Sequence, residues 1–373
     1  MEEQVKKIIS DDEEYVINMG PQHPSTHGVL RLVVSLKGEM VQRVEPHIGY
    51  IHRGIEKMTE SLTYPQIVHH TDRMDYLSAH INNEAFCLAV EKGLEVEVPE
   101  RVKYIRTILS ELTRIQSHQL FWASFGMDLG GLTCFFYGLR DREKILDIFE
   151  ETCGGRMIVS YNTPGGLMND IHPNFQKGVK DFIKYFRKKL PEYDQLLTGN
   201  VIFEQRTKNV GIVNRDEAIA WGMTGPVGRA SGFSCDVRKH NPYSAYDKVN
   251  FKEILYTEGD TYHRYKVRMD EMWESMNIIE QLIDNIPEGP YSAKMKPVIK
   301  LPEGEYYQSV ETARGELGVF IVSDGNKNPY RVKFRSPNFV HLAPLNLMSK
   351  GYKIADLVAI SGSLDFVIPD IDR

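Results

Sequence analysis

The sequence predicts a mainly α protein with an α+β periphery: a central helical bundle, a small N-terminal β element and a β-containing C-terminal part. Three observations carry this. Apolar residues recur at spacings of three and four through the middle of the chain. Alternating, β-type patterning appears in the first fifty residues and returns only beyond residue 300. Apolar side chains make up 42% of the 373 residues, enough for a substantial core, which argues against disorder. The expected division is 1–50 for the β element, 51–290 for the bundle and 291–373 for the C-terminal part packed on it.

Residues 15–19 read as a short strand. Gly20-Pro21-Gln22-His23-Pro24-Ser25-Thr26-His27-Gly28 follows, where two prolines and two glycines forbid a helix. Residues 29–36 and 40–45 flank Lys37-Gly38-Glu39 as a hairpin, with Leu30, Leu32, Val34 and Leu36 on one face. Pro99, at a favoured first helical position, opens a helix carrying Val102, Ile105, Ile108, Leu109, Leu112 and Ile115. Asp141-Arg142-Glu143 starts the next and Gly154-Gly155 ends it. Residues 172–197 have helical character, interrupted by Pro173 and Pro191. The stripe Val267, Met269, Met272, Trp273, Met276, Ile279, Ile283, Ile286 predicts a helix over 260–286, closed by Pro287. Residues 317–323 and 330–334 form a second hairpin, and a short helix over 354–361 leads to the C-terminal end.

Composition narrows the function. With 51 acidic and 45 basic side chains the net charge is −6, a poor match to a general nucleic-acid binder. None of the four cysteines has C-x-x-C spacing, so an iron–sulfur, zinc or nickel thiolate site built by this chain alone is not expected. Few cysteines and an acidic start without an apolar run suit a reducing, cytoplasmic compartment. Between Arg114 and Arg140 the only formal charge is Asp128, in a window rich in Phe, Trp, Met and Leu. Gly126, Gly130 and Gly131 make this a helix–break–helix corner rather than a membrane span. Asp128 itself reads either as the N-cap of the following helix or as a carboxylate in an apolar interior, which would need a cationic partner.

His23 and His27 are four apart, but Pro24 keeps them off one helical face, which disfavours a metal pair. Turn chemistry, with Ser25 and Thr26 satisfying backbone groups, is the ordinary reading. His69-His70-Thr71-Asp72-Arg73-Met74-Asp75-Tyr76 could be a solvated helix start, yet His80 and Glu84 follow at near-helical spacing among apolar residues. Gly49-Tyr50-Ile51-His52-Arg53-Gly54 sets His-Arg between glycines, where backbone can approach another molecule closely.

Taken together, these segments resemble one family. The run from Gly20 to Leu32, Gly49-Tyr50-Ile51-His52-Arg53-Gly54, Asp72-Arg73-Met74-Asp75-Tyr76, Met127-Asp128-Leu129-Gly130-Gly131, Ser323-Asp324-Gly325 and Asp372-Arg373 match it in order. It is the family of the 49-kDa subunit (the D subunit) of respiratory complex I, the NADH:quinone oxidoreductase. The resemblance implies a fold like the large subunit of nickel–iron hydrogenases, with the former nickel pocket holding a quinone headgroup. The chain lacks the two C-x-x-C pairs a nickel–iron site needs, so hydrogen chemistry is excluded on ligand count. The resemblance implies that His27 and Tyr76 bind the headgroup and that Asp128 pairs with His27. It places Arg53 beside a 4Fe-4S cluster held by the neighbouring B subunit. Partners implied are the B, C and I subunits of complex I and its membrane-embedded H subunit, on the cytoplasmic side of a bacterial membrane.

The chemistry suits these residue types. Quinone reduction takes two electrons and two protons, and a phenol and an imidazolium can supply protons near neutral pH. An ionised Asp128 would keep His27 charged until its proton leaves. The unpaired carboxylate left behind could move neighbouring charges, a coupling step toward proton pumping. One departure stands out: where many members carry a histidine near the cluster, this chain has Ile158, and the arginine often found just before Pro164-Gly165-Gly166 is absent. An aliphatic residue takes up no proton, so a lower, less pH-dependent cluster potential is expected. Two other readings remain: the same quinone site fed by ferredoxin or another donor, and a non-catalytic scaffold that has lost the site.

Overall fold

The computed structural model describes residues 14–23 and 26–373. The acidic start, Pro24 and Ser25, which entered the reading of compartment and loop, lie outside them. The chain is mainly helical, with three small sheets at the periphery.

Strands β1 (Glu14–Met19), β2 (Arg31–Lys37) and β3 (Met40–His47) form an antiparallel meander in that order. Ile17 lies opposite Val34, which in turn faces Val44. The alternation along β2 buries Leu32, Val34 and Leu36. That face packs on C-terminal residues including Leu345, Met348, Leu357, Ile360 and Ile368, so the two ends of the described chain share one apolar cluster. β3 is tied to the same region by Val41 N–H to Tyr352 C=O at 2.8 Å and Val44 N–H to Asn346 Oδ1 at 2.8 Å.

The larger cluster belongs to the helices. After α1 (Ile55–Thr59) and α2 (Tyr64–Thr71) come α3 (Ala79–Leu94), α4 (Glu100–Asp128) and α5 (Leu132–Cys153). β4 (Asn162–Thr163) and β5 (Gly166–Leu167) form a two-stranded ribbon before α6 (Phe175–Tyr193), which continues into a π-helical turn, Asp194–Thr198. Short helices α7 (Val201–Thr207), α8 (Arg215–Ala220), α9 (Gly225–Ala230) and α10 (Val237–His240) lead to α11 (Thr261–Ile283). The C-terminal part holds β6 (Gly304–Glu311), β7 (Glu316–Ser323) and β8 (Arg331–Arg335). Helices α12 (Pro337–Leu342), α13 (Leu345–Ser349), α14 (Ile354–Leu364) and α15 (Ile368–Asp372) complete it.

Helix α4 is the axis of the bundle, buried on nearly every side from Ile105 to Gln119. Its charged groups are therefore paired inside the protein. Glu111 accepts from Arg238 and Arg114, Tyr246 Oη donates to it at 2.6 Å, and His118 Nε2 lies 2.9 Å from Glu271. Arg229, fully buried, meets Glu271, Glu311 and Asp236.

Several expectations shift. Pro99 is the N-cap of α4 rather than its first residue. α5 starts at Leu132, well before Asp141, because Asp141 is a buried mid-helix residue. Its carboxylate accepts from Tyr185 at 2.6 Å, Tyr193 at 3.0 Å and Arg140 at 2.8 Å. Gly154 ends the helix in the left-handed conformation, as anticipated. α3 gives no clean apolar stripe because His80, Asn82, Asn83 and Glu84 are buried with the apolar residues. β6 escapes the alternation test, since its buried residues cluster at one end.

Candidate functional site

The loop between β1 and β2 presents His27. Thr26 Oγ1 donates to the carbonyls of His23 at 2.7 Å and Gly28 at 3.0 Å, closing a tight turn. His27 takes a left-handed backbone, φ 51°, which a side chain adopts only when its surroundings hold it there. The loop is pressed against the C-terminal segment: a Cβ on Gly28 would sit 3.0 Å from Ile368.

Asp128 is the last residue of α4. Gly131, not Asp128, caps α5, so the capping reading is wrong and the buried-carboxylate reading describes the side chain. His27 Nε2 and Asp128 Oδ2 are 2.5 Å apart, with 20% and 6% of the two side chains exposed. Burial alone would lower the basicity of His27. The hydrogen bond and charge of Asp128, helped by Asp365, outweigh it and raise the pKa above the ordinary 6.5. Among the described residues, Nδ1 of His27 has no hydrogen-bond partner. α14 closes in behind: a Cβ on Gly362 would lie 3.0 Å from Phe125 and 3.2 Å from Asp128 Oδ2, so glycine lets the helix approach without shifting either. Phe366 meets the His27 ring edge-on at 6.5 Å.

Tyr76 stands on the loop between α2 and α3, half-buried. The loop is stitched down by Asn82 Nδ2 donating to Asp75 C=O at 3.0 Å and Gln116 Nε2 donating to Leu77 C=O at 2.6 Å. Burial, reinforced by Asp75, raises the Tyr76 phenol pKa and keeps it protonated. No described residue hydrogen-bonds to its hydroxyl. Asp75 is buried and pushed up to about 6 by burial, against the pull of Arg314 at 3.3 Å. Arg314 also reaches Asp365 at 3.2 Å, and Asp365 acts electrostatically on both His27 and Tyr76. Through it the two expected headgroup residues belong to one electrostatic cluster.

Arg53 lies outside this cluster. It is exposed and donates to Arg73 C=O at 2.7 Å, with burial and the Arg73 charge lowering its pKa. The glycine-flanked segment carrying it is held by the C-terminal end: Asp372 accepts from the amides of Gly49 at 2.8 Å and Ile51 at 3.0 Å. Asp72, beside Arg73, accepts from Ser160 N–H and Oγ, each at 2.7 Å, fastening the loop that exposes Ile158 (42%). Sequence reasoning missed Asp365, Arg314 and Arg268. Arg268 and Arg314 stand among other charges and Asp365 follows an apolar helix, and nothing along the chain says which charges meet.

Among the described residues no group of three or more His, Cys, Asp or Glu side chains is placed to hold a metal, and the four cysteines are free. No described helix is long and apolar enough to cross a membrane.

Residues 128–299 and 294–373 match the family described as the 49 Kd subunit of respiratory-chain NADH dehydrogenase. The chain is 60% identical over 362 residues to the NADH-quinone oxidoreductase C/D subunit of Bacteroides thetaiotaomicron, covering 97% of this chain and 68% of that protein. It is 49% identical over 360 residues to the NADH-quinone oxidoreductase D subunit of Desulforamulus reducens, covering 96% of this chain and 98% of that one. The corresponding D subunit of Clostridium beijerinckii is 48% identical over 361 residues, covering 97% of this chain and 98% of that one. On this extent of similarity, the chain belongs to the 49-kDa subunit family of the respiratory-chain NADH dehydrogenase, complex I.

Proposed function

We propose that this chain is the quinone-site subunit of a proton-translocating NADH:quinone oxidoreductase, and that His27, Tyr76 and Asp128 form its headgroup site. The observation that carries the reading is the part-buried His27–Asp128 pair, with an imidazole Nδ1 and a Tyr76 hydroxyl that no described residue satisfies. Two donors left open by the protein, both under the influence of Asp365, suit a molecule with two carbonyl oxygens. His27, kept cationic by Asp128, gives a proton to the reduced substrate, and Tyr76 supplies the second. Departure of the His27 proton leaves Asp128 without its partner in a nearly dry site, a charge imbalance that neighbouring groups must answer. A 4Fe-4S cluster held by an adjacent B subunit would supply the electrons, and Arg53 and Ile158 are the residues of this chain that would face it. The mutually repelling charges of Arg53 and Arg73 suit an electron-rich neighbour. Exposed Leu132 and Phe136 at the start of α5 are suited to contacts with other members of the complex, the B, C and I subunits and the membrane-embedded H subunit among them. The complex then sits on the cytoplasmic face of the membrane.

Tyr76→Phe in the assembled complex tests this. Quinone reductase turnover is expected to fall roughly 100-fold, the scale of a lost general acid. Electron entry read with an artificial acceptor should stay intact, which certifies assembly. Unchanged quinone turnover in a complex that passes that control would overturn the assignment.

A further inference from the structure

Asp365 is the residue that follows α14, in the left-handed conformation at φ 55°. Only 10% of its side chain is exposed. Arg314 Nη2 reaches Oδ1 at 3.2 Å, and Arg268 Nε stands 3.6 Å from Oδ2, too far for a hydrogen bond. Oδ2 is therefore buried without a hydrogen-bond partner, an expensive arrangement for a carboxylate oxygen. Both arginines are themselves fully buried, Arg314 bonded to Ser117 and Arg268 to the carbonyls of Arg264 and Ser363. The residues on either side complete the placement: Gly362 lies against Asp128, and Phe366 against the His27 ring.

The groups around the donors balance in charge. Asp75, Asp128 and Asp365 are matched by Arg268, Arg314 and a protonated His27. Loss of the His27 proton leaves one negative charge in excess, and no other cation among the described residues directly contacts these carboxylates. Arg142 and Asp370 face the cluster from further away, Arg142 toward Tyr76 and Asp370 toward Asp75.

We propose that Asp365 is a positioning residue of the donor site: fixed by Arg268 and Arg314, its carboxylate holds His27 protonated and, through Arg314 and Asp75, ties the protonation of His27 to that of Tyr76. This rests on the headgroup reading above. Asp128 orients the imidazole through a direct bond, whereas Asp365 acts through space and has no bond to lose when the proton leaves. It therefore favours return of the proton to His27 after each turnover.

The test is the pH profile of kcat for a soluble short-chain quinone in the assembled complex. Turnover falls as pH rises through the raised His27 pKa, because the donor is then lost. Asp365→Asn removes a negative charge facing His27 and should move this alkaline limb down by roughly one pH unit. At pH 8 the variant then loses roughly five-fold more activity than the wild type, relative to pH 6. Asp365→Glu keeps the charge and should leave the limb in place. Arg268→Gln removes the opposing cation and should move it up, which keeps the inference testable if Asp365→Asn does not assemble. A uniform drop in kcat without movement of the limb, or a shift of the wrong sign, overturns the inference. His27→Ala separates the two layers. A wild-type profile in that variant would sink the headgroup reading itself. Loss of the limb in His27→Ala, with the limb unmoved in Asp365→Asn, would sink only the role of Asp365.

Discussion

His27 sits where a non-glycine residue is seldom found, and the cost of a left-handed backbone, of order 1–3 kcal/mol, is met by the Thr26 bonds and the Asp128 pairing. Nothing in the local sequence announces this. Turn chemistry accounts for the loop, and Asp128 looks like a cap until the fold brings it to a histidine 101 residues away. The pairing was legible only through family resemblance, because spacing along a chain says little about contacts between distant loops. Asp365 was not legible at all: it follows a helix recognised by its apolar content, and only the folded position of Arg314 and Arg268 turns it into part of a site. Ile158 is the opposite case, an exposed position whose meaning lies in what the residue lacks. On the proposed placement beside a 4Fe-4S cluster of the B subunit, the cluster potential should be lower and less pH-dependent than in members with a histidine at this position. Ile158→His should raise it and introduce a slope of up to ~59 mV per pH unit near the histidine pKa. A potentiometric titration of the terminal cluster decides this, and a steep slope in the native complex would refute it.

The long helices were the most legible elements, since α4 and α11 keep an apolar stripe over many turns. Starts were harder. The onset of α5 was misplaced because a charged Asp141-Arg142-Glu143 run resembles a helix N-terminus, while the side chain of Asp141 is consumed by two tyrosines of α6. The junction of α4 and α5 depends on missing side chains. A Cβ on Gly126 would lie 2.6 Å from the Cβ of Cys134, and one on Gly138 2.8 Å from both Ala123 Cβ and Gln119 C=O. Gly138→Ala should therefore force the helices apart and destabilise the protein by about 1–3 kcal/mol. Because α4 ends at Asp128, the same variant should also loosen the His27 pairing. Pulse proteolysis of the assembled complex would measure the loss. Stability equal to or above that of the native chain would show that the helix pair tolerates the methyl group.

Across the whole molecule, the second structural theme is ionic. Glu111, Asp236, Glu271 and Glu311 face Arg114, Arg229, Arg238 and His118 in a fully enclosed cluster, four carboxylates against three guanidiniums and one imidazole. Burial raises the Glu311 pKa despite Arg229, while the arginines hold Asp236 and Glu271 below the usual carboxylate range. Such a lattice adds little stability over an apolar core but penalises any broken pair. Arg229→Leu should cost about 3–5 kcal/mol, a large part of a typical domain's stability. The expected readout is a sharp fall in assembled complex; normal yield and unchanged thermal stability would refute it. Composition showed a balanced charge count, and no pattern along the chain indicated that so much of it would be turned inward.

The joint packing of the β1–β3 sheet with the C-terminal helices has a consequence for the order in which the protein is made. A ribosome makes His27 long before Asp365, Phe366 and Ile368, and Asp372 closes on Gly49 across 323 positions. Contacts this distant form last, after the intervening helices have collapsed. Without these late-made residues the walls around His27 stay open. The proposed quinone site would thus be completed in a single event, when α14 and α15 lock the β1–β2 loop in place.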